Sequence, residues 1–203
     1  VNVAPVVDAG ADTSYTIAHD GDPTTNDVTF DLLGSASDPE GDMLSFNWLD
    51  LECPDLECPE QTLYGAGSYG YYLSAVDTYG ASDLDTVVVT IIEEPNDGPI
   101  SNAGEDTSYT IAHDGDPLTD CVTFDLTGSA NDTEGDPLSY NWNAPDGADL
   151  CSTINCDNMT ECGEGVYTYS LTATDSYNDF HTAYVNITVV KEPNNDPISN
   201  NVS

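Results

Sequence analysis

Apolar and polar residues alternate with a period of two over short stretches, and no window sustains a helical stripe. Tyr69, Tyr71, Leu73 and Ala75 alternate with smaller or polar neighbours, as in a strand with one face on a core. Tyr167, Tyr169, Leu171 and Ala173 repeat that stripe. Runs of this kind, bounded by Gly, Asp and Pro, predict strands at Thr13–Ala18, Val28–Leu33, Leu44–Leu49, Tyr69–Val76 and Thr86–Ile92. A second set is predicted at Thr107–Ala112, Val122–Thr127, Leu138–Trp142, Val166–Thr174 and Ala183–Val190. Short strands separated by turn residues predict an all-β chain built of sandwiches. Trp48 and Trp142 hold equivalent strand positions and are expected between the sheets rather than as sugar-stacking platforms.

The two sets of strands belong to one sequence written twice. DTSYTIAHDGDP occurs at Asp12–Pro23 and again at Asp106–Pro117, an offset of 94 residues (106 − 12). Val28–Trp48 returns with few changes as Val122–Trp142, and by Asp77 and Asp175 the offset has grown to 98 (175 − 77). A period near 100 residues is a whole domain rather than a solenoid turn. An Asn-Pro box marks the boundaries: NVAP at Asn2–Pro5, NDGP at Asn96–Pro99 and NNDP at Asn194–Pro197. Proline suits the first residues of an edge strand. The expected domains are therefore residues 1–95 and 96–193. Residues 194–203 read as a linker plus the orphan first strand of a further repeat, or a strand given to a neighbouring molecule. A chain that starts at Val1 reads as a processed product or a piece of something longer.

Charge sharpens this picture. Thirty-eight acidic residues face one base, Lys191, for a formal net charge of −37. Two carboxylates ~4 Å apart repel by ~4 kcal/mol at an effective dielectric of ~20, and this chain has no basic side chains to intervene. Nucleic-acid binding is excluded, because phosphates need Lys and Arg, and adsorption to anionic membranes is disfavoured. No stretch of ~20 apolar residues predicts membrane insertion. The same acidity also suits a solvated, self-repelling surface or adaptation to salt.

Cysteine spacing adds a compartment. Cys53 and Cys58 lie five apart, as do Cys151 and Cys156 in the equivalent region. Pairing within each loop leaves Cys121 for Cys162, one of the 15 connectivities that six cysteines allow. Zinc is disfavoured, since no CxxC occurs. Disulfides imply an oxidising compartment. Sequons at Asn131, Asn158, Asn186 and Asn201 offer covalent N-glycans as further partners of a secreted chain. Asn186 aligns with Val88 and should point outward.

The leading candidate chemistry is a cation site. Asp38, Glu40 and Asp42 crowd one turn, DPEGD, and Asp132, Glu134 and Asp136 repeat it as DTEGD. Three carboxylates and a glycine in five residues offer the hard oxygens that calcium takes in sixes to eights. The competing reading is that Asp38 and Asp132 cap their own turns as Asx turns do. A second candidate is His19 with Asp20 and Asp22, repeated as His113 with Asp114 and Asp116. Either a further metal or a plain surface turn fits it. Catalysis finds no support: His181 is unrepeated, Asp83 stands at its counterpart, and no GxSxG, HExxH or phosphate loop occurs.

Several of these segments together resemble the PKD repeat, an Ig-like sandwich. The first copy reads DAGAD (Asp8–Asp12), GSASDPEGDMLSFNW (Gly34–Trp48), YGYYLSAVDTYG (Tyr69–Gly80) and DTVVVTI (Asp85–Ile91). The second reads NAGED (Asn102–Asp106), GSANDTEGDPLSYNW (Gly128–Trp142) and VYTYSLTATDSYN (Val166–Asn178). Asn178 departs from the family's glycine, and AHDGDP is an insertion. The resemblance implies two tandem Ig-like sandwiches in an extended rod. It also implies that a late aspartate, Asp77 or Asp175, and a linker residue, Asn2 or Asn96, complete each calcium site. On this basis the chain is expected to be a non-catalytic structural module of an extracellular or cell-surface fibre, stalk or surface layer. Calcium would stiffen it, and copies of itself would follow in a tandem array or head-to-tail filament. The alternative is a carbohydrate- or matrix-binding appendage of a secreted hydrolase, for which Tyr64, Tyr79 and Tyr177 are the candidate platform.

Overall fold

The computed structural model describes residues 1–51, 53–116 and 120–193, and every regular element among them is a β-strand. The expected linker and orphan strand at 194–203, with the sequon at Asn201, lie outside the described residues. Two compact units result, Val1–Pro95 and a second beginning at Asn96.

The first unit contains β1 (Val6–Asp8), β2 (Thr13–Thr16), β3 (Asp27–Leu33), β4 (Ser35–Ser37), β5 (Ser45–Trp48), β6 (Glu57–Tyr64), β7 (Gly67–Val76) and β8 (Ser82–Ile92). One sheet has the order β2-β8-β7-β5, with β2 parallel to β8; opposite it lie the pairs β3-β6 and β1-β4. The second unit repeats the plan with β9 (Ile100–Asn102), β10 (Thr107–Thr110), β11 (Cys121–Thr127), β12 (Ser129–Asn131), β13 (Ser139–Asn143), β14 (Asp149–Cys151), β15 (Asn155–Cys162), β16 (Gly165–Thr174) and β17 (Phe180–Val190). Its larger sheet is β10-β17-β16-β13-β14, and the smaller pairs are β11-β15 and β12-β9.

The tyrosine stripes face inward as the alternation requires. Trp48 and Leu73 are fully buried in one core, and Trp142 and Leu171 in the other. Each indole N–H donates to a backbone carbonyl, Leu56 at 3.3 Å and Ile154 at 3.1 Å, so no buried donor is orphaned there. Phe30 stacks on Tyr15 and meets Tyr71 edge-on, and Phe124 does the same with Tyr109 and Tyr169. The break between β3 and β4 is set by Gly34: a Cβ there would lie 2.3 Å from the Leu73 side chain and 3.2 Å from Trp48. Gly128 stands in the same vice between Leu171 and Trp142.

All ten predicted strands are present, with ends shifted by a few residues. The three-residue strands β1, β4, β9, β12 and β14 are additions to the prediction, too short to show a period. So are the longer β6 and β15. Their sequences, ECPEQTLY and NCDNMTEC, are too polar to show an apolar period. They are held by pairing with β3 and β11 across a bulge. At each bulge a non-glycine residue takes positive φ, Glu60 at 56° and Asn158 at 60°, and its N–H donates to Asp31 or Asp125. The disulfides are Cys53–Cys58, Cys121–Cys162 and Cys151–Cys156.

Candidate metal centre

The turn after β4 brings Asp38 and Asp42 against Asp77, the first residue after β7. One carboxylate oxygen from each lies within 4.8 Å of the others. In the second unit Asp132, Asp136 and Asp175 form the same group. Sequence neighbours supply two acids, and the residue after a strand supplies the third, 35 residues beyond Asp42 (77 − 42) and 39 beyond Asp136 (175 − 136).

Asp38 and Asp132 cap their own turns, each through one oxygen. Oδ1 of Asp38 accepts the N–H groups of Glu40 at 2.8 Å and Asp42 at 3.1 Å. Oδ1 of Asp132 accepts those of Glu134, Gly135 and Asp136 at 3.0–3.1 Å. The other oxygen, Oδ2 in both residues, is buried and has no hydrogen-bond partner. A buried carboxylate oxygen without a donor is costly unless a cation meets it.

The late aspartates are fixed in the same manner. Asp77 Oδ1 accepts the Tyr79 and Ala81 amides, and Oδ2 accepts Asn2 Nδ2 at 2.7 Å. The Asn2 bond, above all, and the turn amides hold the Asp77 carboxyl below its ordinary range, against the upward push of burial. Asp175 Oδ1 accepts the Tyr177 and Asp179 amides, and Oδ2 accepts Asn96 Nδ2 at 3.1 Å. Asn96 Nδ2 also reaches Asp179 at 3.0 Å, while its buried Oδ1 has no hydrogen-bond partner. The oxygen-only donor set, with a buried donor-less oxygen on Asp38 and on Asp132, fits a hard cation such as calcium.

Asp179 went unrecognised in the sequence. Its counterpart at the same turn position in the first unit is Ala81, so only the second unit has a carboxylate here, outside the three-aspartate group and sharing the Asn96 amide with Asp175. Glu40 and Glu134 are not gathered. Glu40 Oε2 instead accepts the N–H of Val3 at 3.2 Å, and Glu134 is exposed. Asn178, where the repeat has Gly80, takes φ 70°, which asparagine tolerates.

Among the described residues, the HDGDP loops do not assemble a comparable group. His19 pairs with Glu94 at 3.2 Å, and the Asp20 N–H donates to the same carboxylate. Asp20 and Asp22 accept from Thr25, Thr24 and the loop amides, and the Thr25 bond leads the lowering of the Asp20 carboxyl. His113 and Glu192 pair likewise, and Asp114 accepts the Asp116 amide. These loops fasten the chain after β2 and β10 to the end of β8 and β17.

Many remaining acids act as acceptors where the ladder lapses. Asp83 and Asp85 accept the Val7 and Ala9 amides at 3.0 and 2.8 Å. His181 replaces Asp83 in the second unit, with Nδ1 accepting the Ser101 N–H at 3.2 Å. The Ala9 amide, then that of Thr86, holds the Asp85 carboxyl below its usual range. A folded pKa below the unfolded one gives stability that is complete above the unfolded value and lost as pH falls through the folded one. Thermal melts between about pH 3 and 7 should show a smaller acid-side loss for Asp85→Ala than for the parent chain.

Among the sequons, Asn131 and Asn158 are exposed. Asn186 faces outward, but its amide is engaged: Nδ2 donates to Asp106 and Oδ1 accepts from Thr168. Of the tyrosine platform, Tyr64 and Tyr79 are exposed but sit at opposite ends of β7, and Tyr177 is half-buried.

Residues 118–189 match the family profile described as K319L-like, PKD domain. The chain is 26% identical over 196 residues to the mouse dyslexia-associated protein KIAA0319 homolog, covering 87% of this chain and 17% of that protein. With human dyslexia-associated protein KIAA0319 it shares 22% over 182 residues, 82% of this chain and 16% of the relative. The chain thus spans about a sixth of the length of these curated relatives. The solved PKD domain of human KIAA0319 is 18% identical, covers 50% of this chain and 88% of its own, and superposes with a TM-score of 0.33. That of the KIAA 1837 protein is 26% identical, with 48% and 92% coverage and a TM-score of 0.33.

Proposed function

We propose that this chain, whose residues 118–189 match a PKD-domain profile, is a non-catalytic structural module of an extracellular or cell-surface stalk or fibre, stiffened by calcium. The observation that carries this reading is the pair of three-aspartate groups whose Asp38 and Asp132 each present a buried, donor-less oxygen. Asp38, Asp42 and Asp77 would hold one ion, and Asp132, Asp136 and Asp175 another, with Asn2 and Asn96 beside them. Water or Glu40 and Glu134 would complete shells of six to eight. Asn96 is the first residue after Pro95, so an ion held with it would fix the chain at the boundary of the units. Three disulfides suit the oxidising compartment of such a protein. N-glycans at Asn131, Asn158 and Asn186 would add to it, and further repeats or head-to-tail copies would lengthen it.

Small-angle scattering of the 203-residue chain tests this reading. Calcium should narrow the distribution of long interatomic distances, and chelation should broaden it while the near-ultraviolet signal of Trp48 and Trp142 persists. Identical profiles under conditions where calorimetry shows calcium bound would refute the stiffening. No heat of binding at millimolar calcium would refute the site.

A further inference from the structure

The HDGDP segment recurs at His19–Pro23 and His113–Pro117, and among the described residues it joins neither the cores nor the three-aspartate groups. In the first unit the parallel pairing of β2 with β8 runs on past the end of β2, with the Ile17 N–H on the Ile92 carbonyl at 3.0 Å. Beyond it a side chain takes over. Glu94, its side chain only 8% exposed, receives the Asp20 N–H at 2.9 Å on the same oxygen that lies 3.2 Å from His19 Nδ1. A carboxylate only accepts, so the imidazole presents an Nδ1 proton to it. Asp20 and Asp22 in turn accept the Asp22 and Thr24 amides, each at 2.9 Å, which braces the loop from within.

Only Pro95 separates Glu94 from Asn96, the linker asparagine of the second unit. Proline fixes its own φ at about −65° and restricts the residue before it, so this tripeptide is stiff. In the second unit Asn96 Nδ2 donates to Asp175 at 3.1 Å and to Asp179 at 3.0 Å, while its Oδ1 is buried with no hydrogen-bond partner. An amide oxygen in that state, beside three clustered aspartates, is a hard ligand for a cation. The second unit repeats the plan: His113 pairs with Glu192, which Pro193 and Asn194 follow.

We propose that the HDGDP loop of one unit positions the linker asparagine for the cation group of the next, with His19 and Glu94 as the positioning residues for Asn96. The inference rests on the calcium reading of that group. A linker residue left free must be ordered when the ion arrives, and a residue already held avoids that loss. With Glu94 clamped in the first unit, Pro95 is the single residue between two fixed points, and Asn96 keeps its place on Asp175 before calcium binds. A loop that contributes to neither core thereby has a reason to recur in both copies.

Calcium titration of the 203-residue chain, followed through the amide resonances of each turn, reads the two groups separately. His19→Ala should weaken calcium about three- to tenfold at the Asp132, Asp136 and Asp175 group and leave the group in its own unit, Asp38, Asp42 and Asp77, unchanged. Glu94→Gln keeps an acceptor for the Asp20 amide and should cause a smaller loss at the same place. His19→Gln returns a donor toward Glu94 and should recover most of the affinity. His113→Ala removes the equivalent pair in the second unit and should change neither group. In EDTA, nitrogen relaxation should show faster motion of Asn96 in His19→Ala than in the parent or in His113→Ala, a readout that needs no ion. The near-ultraviolet signal of Trp48 verifies that the first unit of each variant is folded. A parent chain with no calcium shift at either turn would sink the calcium reading and the proposal together. A parent that binds at both turns, with His19→Ala binding as tightly or weakened equally at both, would sink the proposal alone.

Discussion

Asp175→Asn should abolish most calcium binding at the second unit while leaving its fold intact. Asparagine keeps an Oδ1 that can accept the Tyr177 and Asp179 amides, so the turn after β16 retains its cap. What disappears is one of three clustered negative charges, and affinity in oxygen sites tracks the number of charged ligands. At calcium about a hundred times the dissociation constant, binding stabilises the folded unit by about 2.7 kcal/mol. For a domain of ~100 residues this raises the melting temperature by roughly 10–20 °C. Calorimetric titration should show one site lost and one kept, and the calcium-dependent rise in the second unit's melting should vanish. Asp77→Asn should do the same to the first unit alone. The second site should fill first, because Asp179 adds a negative charge beside the group, on the same Asn96 amide as Asp175, where the first unit has Ala81. Asp179→Ala should bring the two affinities together. Equal affinities in the parent chain would show that Asp179 contributes nothing.

Trp142→Ala should have the largest effect on stability. The indole is fully buried, packs against Gly128 and donates to the Ile154 carbonyl. Truncation leaves a cavity and an unpaired acceptor, and such substitutions cost about 3–5 kcal/mol. Against the 5–15 kcal/mol of a typical domain this unfolds the second unit at modest denaturant. The first unit has its own core around Trp48 and should keep its transition. Urea unfolding followed through the remaining Trp48 would separate the two. A single transition shifted as a whole would mean that the units unfold together.

The strands that bury tyrosine and valine stripes were legible because burial on one face demands period two, and the chain wrote the demand twice. Strands β6 and β15 escaped notice because their outward positions are polar and one residue of each sits in a left-handed bulge. The turn acids were equally visible, since Asp38 and Asp42, or Asp132 and Asp136, share a five-residue loop. Their partner aspartates followed from resemblance to the repeat family rather than from spacing, because no local rule links Asp38 to Asp77 across three strands.

The repeated sequence by itself determined the strand phases, the two cores, the unit boundary near Asn96 and the acids of each turn. Those are consequences of local periodicity and composition. Only the tertiary structure decided which oxygens of Asp38 and Asp132 accept the turn amides, that Glu40 turns to the Val3 amide, and that Asp179 shares the Asn96 amide with Asp175. Each of these depends on which atom of a side chain points where once distant strands have paired, and a linear pattern of residue types holds no such information.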